Sequence, residues 1–292
     1  MARKPVHYRA FVDTVTADEA GTPYTIGGEV SLEEYSRFKY GDGDIAAKFG
    51  HLVAQRALEV IPVDIDNPMP LLVTSSAYKV APPASESLLE PFVTTMREEL
   101  PQAHIEPFKI YRSVLTEGDY ASMTLEQREA VMERNGLVLP EGLPETARAV
   151  IALDDILVTG SHERMLHRKL DGTIDALMLY CYILDVSDDA SNPAIEAAIN
   201  HIALSSLQSL IHIAKTSSKF IPNARICKML VGSRPEEVYA FVEEASETKM
   251  PLETILEYVE GDELEQMQRY EAGVQALRKA ITNKAKRPTV VL

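Results

Sequence analysis

The residues best placed to do chemistry are two adjacent carboxylates in the segment VIALDDILVTGSHE, residues 150–163. Asp154 and Asp155 follow a predicted buried strand, Ala149–Leu153, and open α/β sheets place their ligands at such strand ends. A Thr-Gly-Ser turn at 159–161 then precedes a predicted helix. Carboxylates accept hydrogen bonds from sugar hydroxyls, whereas the hydroxyls and unpaired N–H groups of a helix-initiating turn bind phosphate. The segment therefore predicts a sugar-phosphate site.

This segment resembles the phosphoribosyl pyrophosphate (PRPP) motif of type I phosphoribosyltransferases, in which an apolar strand leads into two acids and a Thr-Gly turn. The resemblance implies that Asp154 and Asp155 bind the ribose 2′- and 3′-hydroxyls. They would meet a metal ion only indirectly, through those hydroxyls or through water. The resemblance also implies that the turn holds the 5′-phosphate, through Val158, Thr159, Gly160, Ser161 and His162.

Two positions of the turn depart from the family pattern. Many members have Thr or Asp where this chain has Val158, and 6-oxopurine enzymes use an acid there near the base. The resemblance therefore disfavours hypoxanthine or guanine as the acceptor. His162 stands where many members have Thr. Its ring N–H can bind phosphate, or the residue can face solvent on the helix, and both interpretations stay open.

A polar stretch follows a second predicted strand, Leu71 to Thr74. Its hydroxyl, backbone N–H and ammonium groups are of the kind that bind a diphosphate. The position after the first core strand indicates the pyrophosphate loop, and an ordinary surface loop is the alternative. The loop residues are Ser75, Ser76, Ala77, Tyr78 and Lys79.

The segment from His104 to Leu139 predicts a strand near 105–111, a polar loop and a helix over Thr124–Arg134 that opens with a capping box. It resembles the part of ComF-like phosphoribosyltransferases that carries the loop closing over PRPP. The resemblance makes Lys109 and Arg112 candidate catalytic groups that meet the pyrophosphate, as a point charge and a bidentate fork respectively. Exposed charges on a strand are the alternative.

The order of elements predicts an α/β fold with a mainly parallel sheet flanked by helices, since strands and helices alternate up to a last strand over Ile174–Val186. We expect this phosphoribosyltransferase-like core over residues 38–190. Residues 1–37 predict an N-terminal β-hairpin that forms an accessory hood. Residues 191–292 predict an all-helical C-terminal region. That region could cover the acceptor pocket, form a homodimer interface or dock a partner protein, and the sequence does not choose.

Charge and composition narrow the possible partners. The 292-residue chain has a net charge of −15, which argues against nucleic acid because phosphate backbones are bound through clustered Lys and Arg. No apolar run approaches the roughly 20 residues of a membrane span, and the start lacks the apolar core of a signal peptide. We therefore expect a cytoplasmic protein with no membrane partner. Cys181 and Cys227 predict neither a disulfide framework nor a metal cluster.

These features favour a Mg²⁺-dependent phosphoribosyltransferase that moves 5-phosphoribosyl from PRPP to a small, nucleobase-like acceptor and releases pyrophosphate. Positioning and charge neutralisation dominate such a reaction, because its transition state is oxocarbenium-like. The alternative is a non-catalytic regulator that senses PRPP or a nucleotide with the same fold. A third interpretation is a hydrolase with water as the acceptor. The ComF-like resemblance further implies a role in bacterial stress response.

Overall fold

A computed structural model describes residues 7–62, 68–113, 136–186 and 193–285. Six of its strands form one sheet. Numbered in chain order, these strands lie side by side in the order 2, 1, 8, 7, 3, 4, and every neighbouring pair is parallel except strands 2 and 1. The fifth and sixth strands form a separate antiparallel pair. The strands are β1 (His7–Ala17), β2 (Pro23–Thr25), β3 (Leu71–Ser75), β4 (Ile105–Pro107), β5 (Tyr111–Arg112), β6 (Leu137–Val138), β7 (Thr146–Leu157) and β8 (Asp175–Val186).

Helices flank the sheet and predominate after β8, as predicted. Two short 3₁₀ helices, Ala84–Leu88 and Leu264–Gln266, accompany them. The α-helices are α1 (Leu32–Lys39), α2 (Gly43–Val60), α3 (Leu89–Glu99), α4 (Ser161–Leu170), α5 (Pro193–Asn200), α6 (Leu207–Thr216), α7 (Ala224–Val231), α8 (Pro235–Ala245), α9 (Leu252–Gly261) and α10 (Gln268–Ala285).

The central strands are buried on both faces, which explains their nearly continuous apolar sequences. Alternate residues such as Ile151 and Leu179 pack on one face in a hydrophobic core that includes residues of α2 and α3. Their neighbours Val150 and Met178 pack on the other face in a second core that includes residues of α4. The sheet therefore separates two cores, and consecutive residues of β7 from Ala149 to Leu153 alternate between them.

A capping aspartate and apolar residues at helical spacing define the start of α2. Asp42 caps the helix, since its carboxylate accepts hydrogen bonds from the backbone N–H groups of Asp44 and Ile45 at 3.2 and 3.3 Å. The next turns bury Phe49 and Val53 at the helical spacing that the sequence shows. This helix lies against β1 and β8 and closes one face of the sheet.

The N-terminal hairpin is present, but it is continuous with the main sheet rather than a hood beside it. β1 pairs in parallel with β8 from His7↔Met178 to Val15↔Val186, and β2 pairs with the far end of β1. The physical reason is the alternation in β1, which buries Ala10 and Val12 in the core below the sheet. The hairpin therefore extends the sheet by two strands.

Two other predicted strands have different lengths in the structure. The strand expected near 105–111 is divided into β4 and β5, and β4 ends at Pro107, whose nitrogen has no hydrogen to donate to a ladder. β7 runs on past Leu153 to Leu157, because Ile156 and Leu157 continue its pairing with β8. The predicted helix over 124–134 lies outside the described residues.

The C-terminal helices form their own hydrophobic core, which includes Leu210, Leu230, Phe241, Val259 and Leu277. The helical character predicted for this region is confirmed. The division of the chain at residues 37 and 190 into functional units stays a prediction. Among the residues in the four described ranges, no helix has both the length and the apolar character needed to cross a membrane.

Candidate functional site

The two adjacent acids lie inside β7, and the alternation of a strand sends their side chains to opposite faces of the sheet. Their predicted position at the carboxyl end of a strand over Ala149–Leu153 is wrong, because β7 continues through them to Leu157. Asp154 lies on the α4 face, opposite Tyr182 in the register with β8. Asp155 lies on the α1 face. The pair is therefore split between two environments.

Asp154 accepts hydrogen bonds from three directions. The Ser76 hydroxyl donates to Oδ1 at 2.9 Å, the Asp155 backbone N–H donates to the same atom at 2.9 Å, and His162 Nδ1 lies 2.8 Å from Oδ2. Burial raises the pKa of the carboxyl, but the His162 charge and these hydrogen bonds outweigh it and hold the pKa below its usual value. Asp154 is therefore an ionised acceptor at neutral pH.

Ser76 reaches Asp154 because of the parallel register. Ser75 pairs with Leu153, so the residues that follow them lie next to each other at the carboxyl ends of β3 and β7. His162 reaches the same carboxylate from the first turn of α4. Neither of the two roles left open for His162 describes this contact, since the ring lies against Asp154.

Asp155 makes a buried ion pair with Lys39, the last residue of α1. The lysine side chain is 6 % exposed and the carboxylate side chain 12 %. The Lys39 ammonium also lies 5.7 Å from the centre of the buried Tyr35 ring. Asp155 consequently joins α1 to the sheet, in addition to lining the pocket described below.

The turn after β7 has the geometry that the Thr-Gly-Ser sequence predicts. Gly160 adopts φ +66°, in the left-handed region that favours glycine, and α4 begins at the next residue. The hydroxyls of Thr159 and Ser161 lie 3.0 Å apart. Arg164 donates to the Thr159 carbonyl at 2.8 Å and to the Ser161 hydroxyl at 2.9 Å. The first N–H groups of α4 and a guanidinium therefore surround the turn.

Sequence reasoning missed a second guanidinium beside the turn. Arg9 of β1 forms a two-pronged ion pair with Glu163 at 2.8 and 3.0 Å, and the Tyr182 hydroxyl donates to the same carboxylate at 3.0 Å. A Cβ atom on Gly160 would lie 3.8 Å from the Arg9 guanidinium. No local signal marks Arg9, because only the pairing of β1 with β8 brings it here. Arg164 follows Gly160 by only four residues, so its place beside the turn could be inferred from the sequence more readily than that of Arg9.

A pocket of about 220 Å³ brings most of the predicted site together. Its lining includes both acids, the whole turn 158–162, Ser76, Ala77 and Arg112. Other wall residues include Pro83, Glu163, Tyr182 and Glu196, none of which the sequence analysis assigned to a site. Oriented N–H donors, carboxylates and a guanidinium in one cavity suit a ligand with both hydroxyl and phosphate groups.

Four members of the predicted pyrophosphate site do not line this pocket. The Ser75 hydroxyl donates to the Glu86 carboxylate. Lys79 pairs with Glu263 of the C-terminal region. Lys109 donates to the Lys79 carbonyl at 3.0 Å and lies 3.8 Å from the centre of the Tyr78 ring, and burial lowers its pKa. Tyr78 lies in the wall of a separate cleft. These contacts, which no local pattern reveals, hold both ammonium groups away from Asp154.

The family model described as PRTase ComF-like matches residues 27–277. The chain belongs to this family. In the ComF-like chain the match covers four strands of the main sheet, β3, β4, β7 and β8, and most of the helices that follow, so these helices are part of the family pattern. The hairpin of β1 and β2 precedes the matched residues. A search of curated proteins found no match.

A search of solved structures gives a match to a hypoxanthine phosphoribosyltransferase from Staphylococcus aureus. It is 12 % identical, with a TM-score of 0.33, over 50 % of this chain and 65 % of the other. The match thus spans slightly less than two thirds of that enzyme's length.

The donor set of this ComF-like pocket suits a magnesium ion that arrives with its ligand. The described residues contain no cluster of three or more His, Cys, Asp or Glu side chains able to cage a metal. Mg²⁺ commonly binds through one or two carboxylates together with substrate phosphates and water. Asp154 and Asp155 border the pocket, and Asp155 is already paired with Lys39, so the two acids would meet the ion through ligand hydroxyls or water. The residues therefore fit an ion coordinated chiefly by a phosphorylated ligand.

Proposed function

We propose that this protein is a phosphoribosyltransferase that uses PRPP and Mg²⁺ to attach a 5-phosphoribosyl group to a nucleobase-like acceptor. The observation that carries the proposal is one pocket that holds Asp154, the 158–162 turn, Ser76 and Arg112. An ionised carboxylate suits ribose hydroxyls, the turn suits the 5′-phosphate, and the guanidinium suits the pyrophosphate. Family membership supports the reaction class.

The reaction breaks the bond from C1 of the ribose to the pyrophosphate oxygen and forms a bond from C1 to the acceptor. The electron pair of the broken bond leaves with pyrophosphate. Because the transition state is oxocarbenium-like, the protein has to fix the sugar, balance the charge of the leaving group and exclude water. Asp154 and Asp155 would fix the hydroxyls, the turn the phosphate, and Arg112 the leaving group. Mg²⁺, when bound, would neutralise pyrophosphate charge.

The first test is calorimetric titration of PRPP with Mg²⁺ into the wild type, Asp154→Asn and the control Asp171→Asn. Asp171 is an exposed carboxylate at the end of α4, away from the pocket. We expect Asp154→Asn to weaken binding at least about tenfold, or roughly 1.4 kcal/mol. The control should bind as the wild type does. Equal affinity of all three proteins, or no binding by the wild type, would contradict the proposal.

The second candidate function is a regulator that binds PRPP without transfer. It is favoured by the partners of the charged groups: Lys39 is paired with Asp155 and Lys79 with Glu263, so two cations near the site are engaged within the protein. Pyrophosphate release with a panel of nucleobase-like acceptors separates the two functions. Release that depends on an acceptor supports transfer, and binding without release for any acceptor supports the regulator.

A further inference from the structure

The C-terminal helical region reaches the pyrophosphate loop through one turn, Gly261–Glu263, at the end of α9. The Asp262 carboxylate accepts a hydrogen bond from the Val80 backbone N–H at 2.9 Å and another from the Ala81 N–H. Asp262 is 3 % exposed. The Glu263 carboxylate pairs with the Lys79 ammonium. Two consecutive acids thus bind residues 79–81, which are the last residue of the loop and the two that follow it.

The backbone of this turn is fitted closely to the loop. A Cβ atom at Gly261 would lie 2.7 Å from the Val80 side chain, so only glycine allows the approach. Glu263 has φ +55°, and it is the only non-glycine residue with positive φ in the described ranges. A strained conformation of this kind persists only where the surroundings impose it. The backbone conformation of the turn is therefore imposed by its contact with the loop.

The other side of the loop is fixed by the sheet region. The Tyr78 N–H donates to the Ile110 carbonyl at 3.2 Å, and Lys109 donates to the Lys79 carbonyl at 3.0 Å. Residues 79–81 therefore lie between two supports, one from β4–β5 and one from the Gly261–Glu263 turn. Removing the second support leaves the amides of Val80 and Ala81 without their buried acceptor.

We propose that Asp262 and Glu263 are positioning residues for the pyrophosphate loop. Asp262 fixes the backbone of residues 80–81, and Glu263 competes with an anionic ligand for the Lys79 ammonium. Binding of a diphosphate group at the loop then requires Lys79 to exchange Glu263 for the ligand. The C-terminal helices thereby influence how tightly the pyrophosphate loop binds a diphosphate group. The identity of the ligand in this inference rests on the proposed function.

Hydrogen exchange of the loop amides tests the role of Asp262 without any ligand. We expect Asp262→Asn to raise exchange at Val80 and Ala81 at least about tenfold, because the amides lose a charged, buried acceptor. The matched control is Glu260→Gln, in the same helix, whose carboxylate pairs with Arg278 instead of the loop. It should leave the loop unchanged. Unchanged exchange at Val80 in a folded Asp262→Asn protein would overturn the role of Asp262.

Glu263→Gln provides a milder variant that tests the competition for Lys79. The two side chains are 29 % and 55 % exposed, so the pair is screened and its effect is modest. We expect magnesium pyrophosphate to bind about three- to fivefold more tightly to Glu263→Gln than to the wild type, as measured by calorimetry. The gain should disappear when Lys79→Ala is added. Equal affinity of Glu263→Gln and wild type would overturn the competition.

These experiments separate the inference from the function on which it rests. If the wild type binds neither PRPP nor pyrophosphate, the proposed function and the competition at Lys79 both fail, while loop exchange still decides the role of Asp262. If the wild type binds both ligands and neither variant differs from it, the inference fails and the proposed function stands.

Discussion

Two neighbouring aspartates have different partners because they lie on opposite faces of the central sheet. On the α1 face, Asp155 is covered by a helix and paired with a buried lysine. On the α4 face, Asp154 borders a pocket and is held by a serine and a histidine, with 22 % of its side chain exposed. Both carboxylates line the same pocket. One acid thus has a buried ionic partner, and the other has hydrogen-bonding partners in the wall of the pocket.

This difference shows that residue type and spacing do not determine which acid of an adjacent pair forms a buried ion pair and which one is held by hydrogen bonds at the pocket. The strand ladder determines it, because a residue-by-residue alternation places each side chain on a fixed face. We expect substitutions at Asp155 to lower stability most, and substitutions on the other face to affect ligand binding with smaller losses of stability. Three measurements examine that expectation.

The largest effect is predicted for Asp155→Asn. The change leaves the Lys39 ammonium buried without a counter-charge, so the free energy of unfolding should fall by about 3–5 kcal/mol. Urea denaturation measures it. The amide should also weaken PRPP binding at least about tenfold, because Asp155 lines the pocket.

A double variant, Lys39→Met with Asp155→Leu, checks the physical cause. It removes both charges and should recover most of the stability lost in Asp155→Asn, since apolar replacements of buried ion pairs are often neutral or stabilising. A single variant that unfolds at the wild-type urea concentration would contradict the structural role of Asp155 and remove the contrast between the faces.

An intermediate effect is predicted for Gly160→Ala on the pocket face. An alanine at φ +66° costs about 1–2 kcal/mol of folding stability because the left-handed region is strained for residues with a Cβ. Gly172→Ala is the matched control, since Gly172 has φ +75° at the other end of α4 and no atom near its missing Cβ. Thermal or urea unfolding should show similar losses for both.

The two glycine variants should differ only in ligand binding. Gly160→Ala distorts the turn that we propose binds the 5′-phosphate, so it should weaken the PRPP affinity severalfold, while Gly172→Ala should not. If both variants bind PRPP equally well in the calorimeter, the turn is not the phosphate site.

The smallest effect is the pH dependence that Asp154 contributes. Its pKa is lowered in the folded protein from an ordinary value of 3.8. The stabilisation is therefore fully present above pH 3.8 and is lost as the pH falls through the lower folded pKa. The stability of the wild type relative to Asp154→Asn should shrink across this acidic interval in urea titrations. A difference that grows as the pH falls would contradict the assigned ionised state.

Local features of the fold were predictable from the sequence. The Asp42 cap and the apolar spacing of α2 gave that helix, and the Thr-Gly-Ser turn gave the start of α4. Each depends on residues within one or two turns of chain, where propensity and capping act. The pocket composition was largely predictable for the same reason, because the turn 158–162 and both acids are contiguous.

Contacts between distant parts of the chain were not predictable. β1 joins the sheet through β8, and Arg9 reaches Glu163 only as a result. Lys79 contacts Glu263 across the interface with the helical region. The continuation of β7 through the acids depends on pairing with β8, which a single strand sequence does not display. These features arise from tertiary register, and no local pattern encodes them.

The pairing of β1 with β8 also has a consequence for synthesis. β1 ends at Ala17, whereas its parallel partner begins at Asp175, so the first strand leaves the ribosome long before it can pair. At about 5–20 residues per second, the wait is roughly ten to thirty seconds. During that interval an edge with unpaired N–H and C=O groups is exposed to other nascent chains. Chaperone demand in translation should therefore concentrate on the first strand of this protein.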